Sequence, residues 1–105
     1  MDDCIFCKIV NKEIPTDILY EDDTCMIFPD INPSANTHLL IIPKKHIATI
    51  AELEPIDENV IGHMVGKARD LAKEKGIDGY KLLFRVGKGG GQEVFHIHLH
   101  LMSDQ

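Results

Sequence analysis

The sequence predicts an α+β domain: an antiparallel sheet of about five strands, one long helix and a short N-terminal helix. Three observations carry this. The chain has 105 residues, 44% of them apolar, enough for one core and too few for two. Short apolar runs bounded by turn residues read as strands joined mostly by hairpins. One stretch alone, Pro55 to Lys75, carries its apolar residues on a single helical stripe.

Each element has a local reason. From Asp3 to Lys12, the spacing of Ile5, Phe6, Ile9 and Val10 suits a short helix, with Asp2 or Asp3 as its N-cap and Pro15 beyond its end. Ile18–Tyr20 and Thr24–Phe28 read as strands around the acidic turn Glu21-Asp22-Asp23. Pro29 to Ser34 is turn chemistry. His38 to Ile42 holds four consecutive aliphatic residues, the mark of a strand buried on both faces, and Pro43 closes it. In the long helix the stripe is Ile56, Val60, Ile61, Met64, Val65, Ala68, Leu71 and Ala72. Pro55 suits its first turn and Gly76 the position after its end. His63 falls on this helix with no partner in view and reads as a surface residue. Tyr80–Val86 and Val94–Met102 are the last two strands. Residues 1–105 make a single domain.

The composition excludes several classes. Net charge is −6, and Lys44-Lys45-His46 is the only basic cluster of note, so nucleic acid is not an expected partner. A single phosphate is still within reach of backbone amides. No apolar run reaches membrane-spanning length, and no signal-like start is present. Three cysteines, an odd number, fit a reducing, cytoplasmic location better than a disulfide framework.

The chemistry lies in His96-Ile97-His98-Leu99-His100-Leu101-Met102. On a strand, the period of two sends the three histidines to one face and the aliphatics to the other. Three unpartnered imidazoles are costly to bury. The face must therefore meet a cleft, a metal or water. Two imidazoles at i and i+2 can share a metal. Alternatively, one neutral imidazole acts as a nucleophile while its neighbours set its tautomer. Just upstream, Gly89-Gly90-Gly91-Gln92 offers backbone amides for an anion.

These residues resemble the histidine triad superfamily, and the likeness runs along nearly the whole chain. Ile5-Phe6-Cys7-Lys8-Ile9, Lys12-Glu13-Ile14-Pro15, Tyr20-Glu21-Asp22-Asp23, Asp30-Ile31-Asn32-Pro33, Thr37-His38, Ile42-Pro43-Lys44-Lys45-His46 and Gly90-Gly91-Gln92-Glu93-Val94-Phe95 are similar to its nucleotide-binding branch, Hint. The resemblance implies a homodimer with one continuous sheet. It also implies hydrolysis of purine nucleoside phosphoramidates through a nucleotidyl-histidine intermediate, with no organic cofactor. In position, His98 matches the nucleophile, His100 its neighbouring phosphate ligand and His38 a fourth histidine. Asp30 matches the ribose acceptor. Ile5, Phe6, Ile9, Phe28, Ile31 and Leu40 match the walls around the base. Gly91, Gln92, Glu93 and Val94 match the loop at the α-phosphate. Two alternative functions are a nucleotide-binding interaction module with incidental hydrolysis and a dinucleoside polyphosphate hydrolase. Relatives doing the latter usually carry glutamine at the position of His100.

The chain departs from the pattern at two positions. Many relatives have asparagine where Arg85 stands, and some have serine where Glu93 stands. Arg85 can pair with Glu93 or reach the phosphate directly as part of the nucleotide site, and the other reading of both residues is an ordinary surface ion pair. Cys4-Ile5-Phe6-Cys7 has the spacing of two zinc ligands. A pair of buried thiols and a redox pair are its other readings. In zinc-holding branches of the superfamily the matching ligands are Cys4, Cys7, His46 and His96. The resemblance thus implies one structural zinc. Cys25, in an apolar strand, reads as core.

Overall fold

The computed structural model describes residues 3–105. Its elements are α1 (Ile5–Val10), β1 (Tyr20–Glu21), β2 (Cys25–Pro29), β3 (Thr37–Pro43), α2 (Glu58–Glu74), β4 (Lys81–Leu83) and β5 (Leu99–Ser103). The five strands form one antiparallel sheet in the order β1-β2-β3-β5-β4. The α+β architecture, the strand number and the two helices are as the sequence predicts. No helix among the described residues is long and apolar enough to cross a membrane.

Helices cover both faces of the sheet, and the pleat sorts its side chains between them. Ile27, Leu39, Ile41, Ile97, Leu99 and Leu101 pack with Met64, Ala68, Leu71 and Ala72 of α2. Met26, Phe28, Leu40 and Ile42 pack with Phe6 and Ile9 of α1. This explains the unbroken apolar run of β3: a strand covered on both sides has no polar face to alternate with. Cys25 is fully buried in the first cluster, as its apolar surroundings predict.

The element ends differ from the sequence reading. Helix α1 stops at Val10, and its N-cap is Cys4, whose Sγ accepts from the Cys7 amide at 3.4 Å. Asp3 is therefore not the cap, and Asp2 lies outside the described residues. Pro55–Asp57 is a separate 3-10 turn, so α2 begins at Glu58. Ile56, on that turn, is 83% exposed and does not join the stripe, and Val65 also faces outward. At the other end of α2, Gly76 takes φ +73° and Ile77 N–H donates to Ala72 C=O at 2.9 Å. This is the glycine-terminated helix end foreseen from the sequence.

Strand pairing is also shorter. Regular β1 begins at Tyr20, β4 covers only Lys81–Leu83, and β5 begins at Leu99. His96 and His98 therefore precede the regular strand. Sequence alternation shows which side chains share a face. The hydrogen-bonded length depends on where the partner strand runs, which a single sequence does not encode.

His63 is also a correction. It is half-buried, and its Nε2 lies 2.6 Å from Asp22 Oδ2. Asp22 Oδ2 also accepts from the Tyr20 hydroxyl, and Asp22 Oδ1 accepts from the amides of Thr24 and Cys25. Burial raises the Asp22 carboxyl, but these three donors and His63 outweigh it and hold the group well below the usual carboxylate range. This knot ties the β1–β2 turn to α2.

Candidate active site and metal centre

The approach to β5 keeps its alternation although it is not paired as a strand. Ile97, Leu99 and Leu101 enter the core under α2. The histidines turn to the α1 side. The Phe6 ring meets His96 and His98 edge to face, with centroids 5.8 and 5.2 Å away. His100 sits opposite Leu40 in the β3–β5 register.

Backbone groups fix each tautomer, because a carbonyl can only accept and an amide N–H can only donate. His96 Nε2 donates to Pro43 C=O at 2.8 Å, which turns its Nδ1 lone pair toward the cysteines. His98 Nδ1 donates to His96 C=O at 2.8 Å and leaves Nε2 as a bare lone pair. Ser34 N–H donates to His38 Nδ1 at 2.9 Å. Neutral His38 then carries its proton on Nε2 and donates to His100 Nδ1, also at 2.9 Å. His100 must then hold its own proton on Nε2. That atom is buried and has no partner among the described residues. An orphaned buried N–H costs about 1–3 kcal/mol, which a bound acceptor would recover.

The two imidazoles are also electrostatically matched. Burial lowers the His98 pKa against the pull of the His96 carbonyl, and the Arg85 charge lowers it further. Burial takes His100 down to about 4, with His98, His38 and Arg85 contributing. Both are neutral at pH 7. The arrangement is a free imidazole lone pair beside a fixed N–H donor, which suits nucleophilic attack on a centre bearing anionic oxygens.

The remaining expected site residues fall into three groups. Phe6, Ile9, Phe28 and Leu40 are buried in the α1 cluster, with Val94 packed against them. Ile5 and Ile31 are 45% and 90% exposed and do not join that cluster. Asp30, just past the end of β2, accepts from Asn32 N–H through Oδ1, and its Oδ2 lies 3.4 Å from His38 Nε2. In the glycine loop, Lys88–Gly90 is a 3-10 turn and Gly91 takes φ +83°. The Gln92 side chain is spent inside the protein. Its Nε2 donates to Ala48 and Val94 carbonyls, and its Oε1 accepts from Gly87 N–H. Gln92 thus shapes the loop, and any side-chain contact with a ligand would break that brace. Arg85 and Glu93 are both exposed and make no ion pair with each other.

Cys4, Cys7, His46 and His96 converge on one point. Cys4 Sγ and Cys7 Sγ lie 3.4 and 3.6 Å from His96 Nδ1. His46 Nδ1 lies 3.2 Å from both Cys7 Sγ and His96 Nδ1. Tetrahedral zinc, with bonds of about 2.3 Å to sulfur and 2.0–2.1 Å to nitrogen, sets neighbouring ligand atoms about 3.3–3.8 Å apart. The four donors fit such an ion with little movement. His96 is already oriented for it by Pro43, an outer-shell contact typical of metal-binding imidazoles. Burial and the neighbouring Cys4 thiol push Cys7 up to about 11. A cation held among these four donors would favour its thiolate instead.

Sequence reading missed the groups that set the tautomers: Ser34 N–H and the carbonyls of Pro43 and His96. They are backbone atoms, and no residue identity announces them.

Comparison with known proteins gives consistent likenesses. The family model described as the scavenger mRNA decapping enzyme C-terminal binding region matches residues 3–105. The chain is 52% identical over 104 residues to protein HitA of Neisseria gonorrhoeae, covering 98% of this chain and 97% of that one. It is 45% identical over 104 residues to the purine nucleoside phosphoramidase of Escherichia coli K12, covering 97% and 87%. Among solved structures, a HIT family hydrolase from Legionella pneumophila superposes with a TM-score of 0.94 at 48% identity, covering 98% of this chain and 94% of that chain.

Proposed function

The chain belongs to the histidine triad family, and within it we propose that the protein is a purine nucleoside phosphoramidase acting through His98. One observation carries the reading. His98 presents a neutral Nε2 lone pair, set by the His96 carbonyl, beside the orphaned Nε2–H of His100. The similarity to a relative named for this activity supports the substrate class.

In this mechanism His98 Nε2 attacks the α-phosphorus of a nucleoside phosphoramidate. The P–N bond to the amine breaks, its electron pair goes to the nitrogen, and the amine leaves with a proton taken from solvent, which the attacking water of the second step returns. His100 Nε2–H donates to a phosphate oxygen and meets the charge that builds there. The amides of Gly90, Gly91 and Gln92 are not free for the phosphate as the sequence suggested, because they already donate to the Gly87 and Lys88 carbonyls within the loop. Water then attacks the nucleotidyl-imidazolium, the P–N bond to His98 breaks, and its electron pair returns to Nε2. Dividing the reaction in this way replaces one difficult displacement by two easier ones. The base packs on Ile5 and Ile31 over the α1 cluster, and Asp30 accepts from the ribose hydroxyls.

A structural zinc belongs to this reading, held by Cys4, Cys7, His46 and His96. Four protein ligands leave no open position, so the ion would supply rigidity. These residues join α1 to the segment carrying His96 and His98. A homodimer belongs to it as well. β4 is a sheet edge, and Tyr80, Leu82 and Val86 beside it are exposed, an edge suited to continuing the sheet into a second copy. Three free cysteines, two of them at ligand positions, fit a reducing cytoplasm.

The test is intact-protein mass spectrometry after brief mixing with an adenosine phosphoramidate. Wild type should carry a transient adenylate that His98→Ala lacks. Nucleotide binding with neither adduct nor product would overturn the enzyme reading in favour of a binding module.

A further inference from the structure

Arg85 is a cation with no ion-pair partner among the described residues, in a chain of net charge −6. Its place is built. A Cβ on Gly91 would sit 3.7 Å from Arg85 Cδ and 3.8 Å from Nη1, so the glycine loop is where the arginine stem rests. β4 pairs Leu83 with His100. Past the end of β4, Phe84 packs on the α2 side of the sheet, so alternation sends Arg85 toward the histidine side. The buried, unpartnered Nε2–H of His100 opens on the same face, and His100 is only 8% exposed. The charge of Arg85 is also felt at His100, where it disfavours the imidazolium.

The order of strands gives this position a meaning. The walls assigned to the base lie on α1, β2 and β3, the triad lies on β5, and β4 is the next and last strand. In-line attack by His98 puts the leaving nitrogen across phosphorus from Nε2, over the open face, and a base resting over β2 and β3 leaves the β4 side of that face free for whatever the nitrogen carries. Arg85 therefore stands on the side of phosphorus away from the nucleoside.

We infer that Arg85 is a specificity-determining residue that reads a second anion, a carboxylate or phosphate carried by the leaving amine. The guanidinium fork suits either group. This inference rests on the proposed phosphoramidase reading and narrows its substrate class to conjugates of anionic amines. The bond changes are those already given: the P–N bond breaks and the amine departs protonated, its anion held by Arg85.

The test compares three adenosine 5′-phosphoramidates, made with β-alanine, with β-alanine amide and with phosphoethanolamine. The first and third carry an anion on the leaving side, and the second is the neutral match of the first. Wild type should favour the anionic conjugates by about five- to tenfold in kcat/KM, the range for a charge-assisted hydrogen bond weakened by solvent. Arg85→Gln should reduce that ratio to near one, and Arg85→Lys should keep part of it. A ratio near one in wild type, or a preference that Arg85→Gln leaves unchanged, overturns the inference while the phosphoramidase reading stands. No turnover of any of the three by wild type overturns that reading as well. The melting temperature of each variant, with wild type as reference, separates lost recognition from lost fold.

Discussion

Phe6 touches both His96 of the candidate metal cluster and His98 of the candidate active site, and replacing it separates core packing from positioning of these residues. The ring is 6% exposed. It meets Phe28, His96 and His98 edge to face at centroid distances of 5.8, 5.8 and 5.2 Å. Truncating a buried phenylalanine to alanine costs roughly 3–5 kcal/mol through lost transfer energy and the cavity left behind. Leucine keeps most of the volume and removes only the ring edges. Aromatic pairs contribute about 0.5–1.5 kcal/mol each beyond their area, so losing the three at Phe6 should make Phe6→Leu cost about 1.5–4.5 kcal/mol. The proposed metal donors Cys4 and Cys7 flank position 6 without including it, so on the zinc reading bound zinc should stay at one per chain in the leucine variant. His98 loses one wall, and a shift of its Nε2 should lower kcat by roughly ten- to a hundredfold with a smaller change in KM. The assays are urea unfolding, metal analysis and steady-state kinetics on one preparation. A leucine variant that loses stability but keeps kcat would show that Phe6 is core and nothing more. One that loses its metal would show that the ring supports the ligands directly.

Further outcomes follow from the same contacts. His46→Ala should lower bound zinc and melting temperature together; zinc remaining at one per chain would refute the ligand set. Asp22 has its carboxyl held low in the folded state. Its contribution is therefore complete above the unfolded value near 3.9 and is lost as pH falls below it toward the folded value. Asp22→Asn should flatten the acid limb of stability against pH between about 5 and 2, and an unchanged limb would remove the His63–Asp22–Tyr20 knot from the account. Gly91→Ala should cost about 1–2 kcal/mol from the left-handed backbone alone, since its nearest contacts at 3.7 and 3.8 Å are ordinary ones; a neutral change would mean the loop relaxes. Leu82→Lys should shift sedimentation toward the monomer if β4 is the dimer edge.

The legible part of the fold was the part written in side-chain periodicity. β3 read as doubly buried because its aliphatics are consecutive, and α2 read as a helix because its stripe is continuous from Val60 to Ala72. The misread positions are those where a neighbour decides. Ile56 matches the helical stripe by spacing, yet Pro55–Asp57 closes as a 3-10 turn, so Ile56 points outward. His63 looked unpartnered because Asp22 is distant in sequence, and only the β1–β2 turn brings it within 2.6 Å. Cys4 caps α1 in place of Asp3, because the segment that would hold zinc also starts the helix.

The site divides along the same line, with one difference that matters for its chemistry. Three histidines on one face were legible from alternation, and so was the need for partners. Why His98 would be the imidazole to attack was legible only through the resemblance, because identical side chains receive different environments from backbone atoms. His96 and His98 each donate to a carbonyl, but through opposite ring nitrogens: Nε2 to Pro43 in one and Nδ1 to His96 in the other. The first arrangement presents Nδ1 to the cysteines, and the second presents Nε2 to the open face. A swap of either acceptor would exchange ligand and nucleophile chemistry without changing a side chain. His100 differs again, because the proton order begins at an amide, Ser34 N–H, and passes through His38. Replacing Ser34 by proline would remove that first donor and free His38 to reverse its tautomer. Restoring an amide with Ser34→Ala should leave the order intact, since the serine side chain plays no part in it. Full activity in the alanine variant and a kcat deficit in the proline variant, with KM little changed, is the expected pattern. Equal activity in both would mean that the tautomer of His100 is set by the substrate and not by the fold.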